Sequence, residues 1–231
     1  MKQKLNLIHY FSLGEWLLWG GSVAAVLLSF FFLDSSDPLK LAASLIGVTS
    51  LIFGAKGHPA GPSLMIVFCL IYGYISFSFR YYGEMLTYLG MSLPMCIVAL
   101  AAWLKNPSDK GRSEVKVARL TKKEWNQMWI LTLAVTVVFY FILKALGTAN
   151  LLPSTLSVTT SFAAAYLTFR RSPYYCLLYA ANDFVLIILW ILAMMKEPSY
   201  LSVVICFAAF FVNDVYGFCN WKRMEKRQEA V

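Results

Sequence analysis

Charge is what this 231-residue chain has least of. Asp, Glu, Lys and Arg make up 14% of it, against about a quarter in soluble domains. A water-soluble fold needs that charge to cover its surface, so its scarcity excludes one. Histidine is scarcer still: His9 and His58 stand alone. The five cysteines, Cys69, Cys96, Cys176, Cys206 and Cys219, each fall inside an apolar run with no CxxC or Cys/His cluster. They read as small buried hydrophobes, which excludes a metal site and a disulfide framework. No GxxxxGK[ST] phosphate loop occurs, because Gly54-Ala55-Lys56-Gly57 lacks the spacing, and neither HExxH nor GxSxG is present. An enzyme is therefore not expected, no catalytic residue is assigned, and no cofactor is implied.

What is present is apolar. Hydrophobic residues make up 59% of the chain, mean hydropathy is +0.64, and there are 17 Phe, 13 Tyr and 7 Trp. Aromatic residues collect at membrane interfaces, and a span needs roughly 17–25 mostly apolar residues. Eight segments qualify, at about 14–33, 40–55, 63–79, 85–104, 127–147, 152–169, 173–195 and 199–221. The first follows Lys2 and Lys4 but contains Glu15 and runs on through Phe30-Phe31-Phe32-Leu33, so it reads as a retained helix rather than a signal. The second is short and begins at Lys40. The sixth carries Ser154-Thr155, Ser157 and Thr159-Thr160-Ser161, whose hydroxyls can bond back to their own helix.

Basic residues fix the orientation. With a cytoplasmic N-terminus, the inner segments hold 16 of the 20 Lys and Arg, leaving only Lys40, Arg80, Lys144 and Lys196 outside. That bias predicts eight spans with both termini in the cytoplasm. The net charge of +8 lies in loops between apolar runs, so it does not mark a nucleic-acid partner. The polar stretch 105–125 has a helix breaker at Asn106-Pro107-Ser108, and Glu114–Glu124 is expected as a short amphipathic helix on the cytoplasmic surface. Its seven basic residues fix topology and meet anionic membrane lipid.

The chain also repeats itself weakly. Tyr82 precedes Trp103, and Tyr200 precedes Trp221, each by 21 residues; the spans before them rise from Lys56-Gly57-His58-Pro59 and Arg170-Arg171-Ser172-Pro173. Three helices in each repeat, with one linking span, put the two repeats in parallel orientation. The expected organisation is an N-terminal tail and extra transmembrane helix (1–39), a first three-helix repeat (40–104), a basic loop and linking helix (105–151), a second repeat (152–221) and a basic tail (222–231). The fold class is all-α transmembrane, 3+1+3 plus one helix.

Two polar pairs interrupt the second repeat: Asn182-Asp183 and Asn213-Asp214. A carboxylate at the bilayer centre costs about 2.5–3.5 kcal/mol, so it faces a cavity or a partner. At 1.5 Å per residue Asp183 lies about 15 Å from the cytoplasmic end of its helix and Asp214 about 10 Å from that of the antiparallel neighbour. The acids read either as a hydrogen-bond network between helices or as a site for a cation or a polyhydroxyl group. Tyr179 and Trp190 share the Asp183 face; Tyr216, with Phe68 and Tyr72 from the first repeat, adds rings on which a flat ligand can stack. The substrate-binding candidates are Asn182, Asp183, Tyr179, Trp190, Asn213, Asp214, Tyr216, Phe68 and Tyr72. The glycines Gly20-Gly21, Gly47, Gly54, Gly73, Gly90 and Gly217 read as points of close helix packing.

Asn182-Asp183 with Ile187-Ile188-Leu189-Trp190, then Tyr200, then Asn213-Asp214-Val215-Tyr216-Gly217 and Trp221, resembles the PnuC-type nicotinamide riboside transporters. So does Ile71-Tyr72-Gly73-Tyr74-Ile75-Ser76-Phe77 with Tyr81-Tyr82-Gly83-Glu84. The resemblance spans residues 40–225. It implies ATP-independent facilitated diffusion of a vitamin precursor or nucleoside, with trapping by a separate cytoplasmic kinase. It also implies a bacterial plasma-membrane location and a homotrimer. Relatives carry thiamine, riboflavin or deoxynucleosides. Here Cys176 and Tyr179 stand where the riboside pattern has tryptophans, and Asp183 where it has asparagine. A membrane scaffold or receptor, in which the acids only join helices, is the competing class.

Overall fold

The computed structural model describes residues 10–33, 38–78, 82–108, 113–148, 150–195 and 200–230. Eight long helices account for most of them: α1 Leu13–Leu33, α2 Pro38–Ala55, α3 Ala60–Ser78, α4 Tyr82–Lys105, α5 Lys122–Ala145, α6 Leu151–Phe169, α7 Tyr174–Met194 and α8 Leu201–Glu229. Among the described residues seven of these are long and apolar enough to cross a membrane, and α6 is the exception. Its Ser and Thr lower its hydropathy. They are satisfied locally, Thr155 donating to Leu151 O and Thr159 to Thr155 O, each at 2.8 Å. Lys2, Lys4, His9, Arg80, Tyr81, Lys110, Arg112 and Lys196 lie outside the described residues.

Packing arranges six helices as a ring, α2–α3–α4–α6–α7–α8, closed by α8 against α2. Helix α1 leans on the outside against α2 and α8, and α5 on the outside against α6. Outward residues such as Phe32, Leu133, Phe141 and Phe184 are exposed, as a lipid-facing surface requires. Small residues set the closest approach. A Cβ at Gly61 would lie 2.7 Å from Gly54 N, so α2 and α3 cross at these two glycines. Gly47, Gly73 and Gly217 are also filled by neighbours, but Gly20, Gly21 and Gly90 face open space and are not packing points.

Helix ends at one pole of the ring follow one plan. At the end of α2, Gly57 adopts φ +65°, its N–H bonds Gly54 O, and His58 N–H bonds Phe53 O. At the end of α6, Arg171 adopts φ +58° with the same pair of bonds, to Thr168 O and Leu167 O from Ser172. Both are left-handed caps with a proline just beyond.

Two expectations are corrected at this pole. Residues 113–120 form no helix, in place of the expected amphipathic one, because their backbone bonds go elsewhere. Val115 N–H donates to Gly57 O, Ala118 N–H to Arg171 O, and Val117 N–H to Gln228 Oε1. The segment straps the two caps to α8, with Val115 fully buried and Glu114 paired with Arg227 at 2.7 Å. The cysteines are all free thiols, but Cys219 is exposed rather than buried.

Candidate functional site

Two cavities inside the ring are lined by candidate site residues. The larger, of about 470 Å³, sits at the pole of the α5–α6 turn and is lined by residues of α3 to α8. Tyr72, Tyr88, Trp190 and Tyr200 supply its rings; Asn182, Thr87, Glu84, Ser154, Ser157 and Ser161 supply its polar groups. The smaller, of about 50 Å³, lies toward the strapped pole and is lined by Tyr175, Tyr179, Trp103, Cys96 and Asp214 among others.

Local structure explains how the larger cavity gets its walls. Helix α4 relaxes into a π-helical stretch over Leu86–Ser92, a feature found often at functional sites. It brings Tyr88 against Tyr72, with centroids 4.5 Å apart, and Phe68 backs both rings at 5.9 and 5.5 Å. On the other wall Trp190 and Tyr200 meet at 5.2 Å. Between the walls, Asn182 on α7 accepts hydrogen bonds from Ser157 Oγ (2.9 Å) and Thr160 Oγ1 (3.0 Å). The hydroxyls of α6 therefore hold the amide of α7 at the cavity edge.

The two acids meet. Asp183 and Asp214 are both buried, and their carboxyl groups lie close enough to interact. The second oxygen of Asp183, Oδ2, has no hydrogen-bond partner.

The sequence candidates thus divide. Asn182, Trp190 and Tyr72 line the larger cavity, with Phe68 behind Tyr72. Tyr179 and Asp214 line the smaller one. The remaining three are not brought to either wall, and of these Asp183 is buried beside Asp214. Asn213 donates to Ser22 Oγ of α1 at 2.8 Å, and Tyr216 donates to Glu15 Oε1 at 2.8 Å; both fasten α1 to the ring. Sequence reasoning missed Tyr88, Glu84 and Tyr200 as lining residues. Tyr82 and Tyr200, which the sequence marks as repeat landmarks and as part of the family resemblance, both line the cavity.

Below the smaller cavity the ring is shut. Trp103 and Trp221 meet at 5.4 Å, Tyr175 packs on Trp221 at 5.1 Å, and both indoles are buried. Their N–H groups close on carbonyls in the last turns of two helices: Trp103 on Thr168 O and Trp221 on Gly54 O, each at 2.9 Å. Tyr175 OH reaches Gly54 O at 3.0 Å and Asn220 Nδ2 reaches Ala55 O at 2.8 Å.

A helical ring in lipid, with an aromatic and polar chamber at one pole and an aromatic plug at the other, defines a membrane transporter of a small molecule. The comparisons agree. The profile of the nicotinamide mononucleotide transporter family matches residues 37–223, and the chain belongs to that family. It is 27% identical to the nicotinamide riboside transporter PnuC of Neisseria mucosa over 219 residues, covering 93% of this chain and 82% of the relative. It is 25% identical to the Haemophilus influenzae protein of the same name, covering 82% and 81%. A crystal structure of the vitamin B3 transporter PnuC superposes with a TM-score of 0.81 at 25% identity, covering 94% of both chains.

Proposed function

We propose that this chain takes up nicotinamide riboside, or a related flat vitamin or nucleoside, by ATP-independent facilitated diffusion across a bacterial plasma membrane. The observation that carries the reading is the 470 Å³ chamber, with rings on two walls and the Ser157–Asn182–Thr160 cluster between them. Its size suits a drug-sized ligand, its rings a flat heterocycle, and its hydroxyls and amide a sugar. All eight helices cross the bilayer in this reading, as an extra helix followed by a 3+1+3 ring, with both termini and the strapped pole in the cytoplasm. The polarity of α6 is then a lining property. The chamber faces outside and the Trp103–Trp221 plug faces in. The working assembly is a homotrimer.

A deoxynucleoside or thiamine is the second reading, favoured by Cys176 and Tyr179 in place of tryptophans. Counterflow of labelled nicotinamide riboside into liposomes holding the purified protein, without ATP or an ion gradient, tests the proposal. Exchange should be saturable. No exchange of the riboside alongside exchange of a deoxynucleoside or thiamine would transfer the assignment to that substrate, and none with any of them would favour a scaffold.

A further inference from the structure

Glu84, the third residue of α4, lines the larger cavity, whereas the buried Asp183 and Asp214 do not. Among the described residues of that lining there is no Lys, Arg or His, so Glu84 carries its formal charge alone. Helix α4 places it by register. Gly83, Glu84, Thr87, Tyr88 and Ser92 all line the cavity, at the spacing of one helix face. The first turn is fixed in place. Thr87 donates to Gly83 O at 2.9 Å, and a Cβ at Gly83 would lie 2.8 Å from Leu143 Cδ2, so α4 presses here on the end of α5. Glu84 stays partly exposed, and it lies near the end of its span, where a charge costs less than at the midplane. It shares the chamber with the Tyr72–Tyr88 and Trp190–Tyr200 ring pairs, which meet at 4.5 and 5.2 Å. Ring faces attract positive charge as a carboxylate does. Both features of the chamber have the same sign.

We propose that Glu84 makes the chamber select a cation: its carboxylate faces the positive charge of a flat heterocycle, such as a pyridinium or thiazolium ring, that stacks on the aromatic walls. The proposal rests on the substrate reading above and narrows it, from a flat vitamin or nucleoside to a positively charged one. A neutral nucleoside gains the stacking but not the charge contact. Sugar recognition falls on a different helix. Ser154, Ser157 and Ser161 follow one face of α6 and line the same chamber. Charge and hydroxyl groups of one ligand are thus read by separate walls. The contact with Glu84 forms and breaks without moving a proton, so transport stays driven by the electrochemical gradient of the cation itself.

The test is calorimetric titration of the purified full-length protein in detergent with two probes of nearly identical shape. They are cationic nicotinamide riboside and its uncharged 1,4-dihydro form. The wild type should bind the cation at least about tenfold more tightly, the size of one ion contact between the water and protein-surface limits. Glu84→Gln keeps the shape and removes the charge. Its cation Kd should rise about tenfold, and its Kd for the neutral form should change by less than about twofold. Glu84→Asp keeps a carboxylate and should retain most of the preference. Where the amide variant does not fold, Glu84→Ser takes its place with the same expectation. Equal affinity of the wild type for the two probes overturns the proposal. So does a neutral variant that keeps the preference, or one that loses both probes alike. In each of these cases the wild type still binds riboside and the substrate reading stands, whereas a wild type that binds neither probe sinks both.

Discussion

Trp103 and Trp221 touch ring to ring at 5.4 Å, and each donates its indole N–H to the same position of an equivalent helix end. The acceptors, Thr168 O and Gly54 O, are also the carbonyls bonded by Arg171 and Gly57 in the two left-handed caps. The strap then binds the next carbonyls in line, those of Gly57 and Arg171. Plug, caps and strap are thus one hydrogen-bonded layer, and opening the passage at this pole requires breaking it.

Trp221→Phe keeps the ring but loses the bond to Gly54 O. Tyr175 still holds that carbonyl, so the loss is about 1 kcal/mol, roughly a fivefold shift toward an open plug. Maleimide labelling of Cys176, buried just above the plug, should become severalfold faster in a variant lacking the other four cysteines. An unchanged rate would show that the layer does not gate access.

Much of the helical plan could be read from the sequence. Hydropathy placed all eight helices within about five residues at each end, save α8, which runs on to Glu229 because its amphipathic last turns pack on the strap. The Tyr/Trp spacing marked the plug, and the Lys56–Pro59 and Arg170–Pro173 turns marked the caps. What could not be read depends on contacts between distant segments. No local signal bends α4 into a π-helix, so Tyr88 went unmarked. Asn213 and Tyr216 read as site residues beside the acids, but no local signal shows that α1 covers them with Ser22 and Glu15. Residues 113–120 have helical periodicity, yet carbonyls at Gly57 and Arg171 claim their N–H groups.

Trp190→Ala should weaken riboside binding without unfolding the protein. The ring lines the chamber, stays partly exposed, and among the described residues Tyr200 is the aromatic ring that meets it. Stacking of a base on an aromatic side chain is worth about 1–3 kcal/mol, so Kd should rise roughly 5- to 150-fold. Trp190→Phe should recover most of it. Unchanged binding in the alanine variant would place the ligand ring elsewhere.

Glu15→Gln tests what holds α1 to the ring. Both oxygens of Glu15 lie 2.9 Å from Lys56 Nζ, and Oε1 also accepts from Tyr216. Lys56 in turn sits over the Tyr10 ring at 4.7 Å. The carboxylate is nearly inaccessible and the ammonium one-fifth exposed, so breaking the pair should cost about 2–3 kcal/mol, below the fully buried case. Thermal unfolding in detergent should begin several degrees lower. An unchanged transition would mean that α1 is held by its other contacts, the Asn213–Ser22 bond and its apolar face among them.

His58 links stability to pH at the strapped pole. It lies two residues before α3, ahead of Pro59, and its Nδ1 accepts the N–H of Ala60, the first residue of that helix, at 3.1 Å. Only the neutral ring has that free lone pair. Burial among Tyr10 and Phe53 lowers its pKa from the usual 6.5. The native state thus resists a proton that the unfolded chain accepts. Stability from this group is fully present above pH 6.5, declines as pH falls below it, and is lost once the folded-state pKa is passed. Thermal unfolding followed from pH 8 to pH 5 should show this decline in the wild type. His58→Asn retains a side-chain acceptor at the cap but cannot titrate, so its profile should be flatter below pH 6.5. His58→Ala should lose about 1 kcal/mol at pH 8 and show the same flattening. Identical slopes in all three proteins would assign the acid sensitivity to other groups.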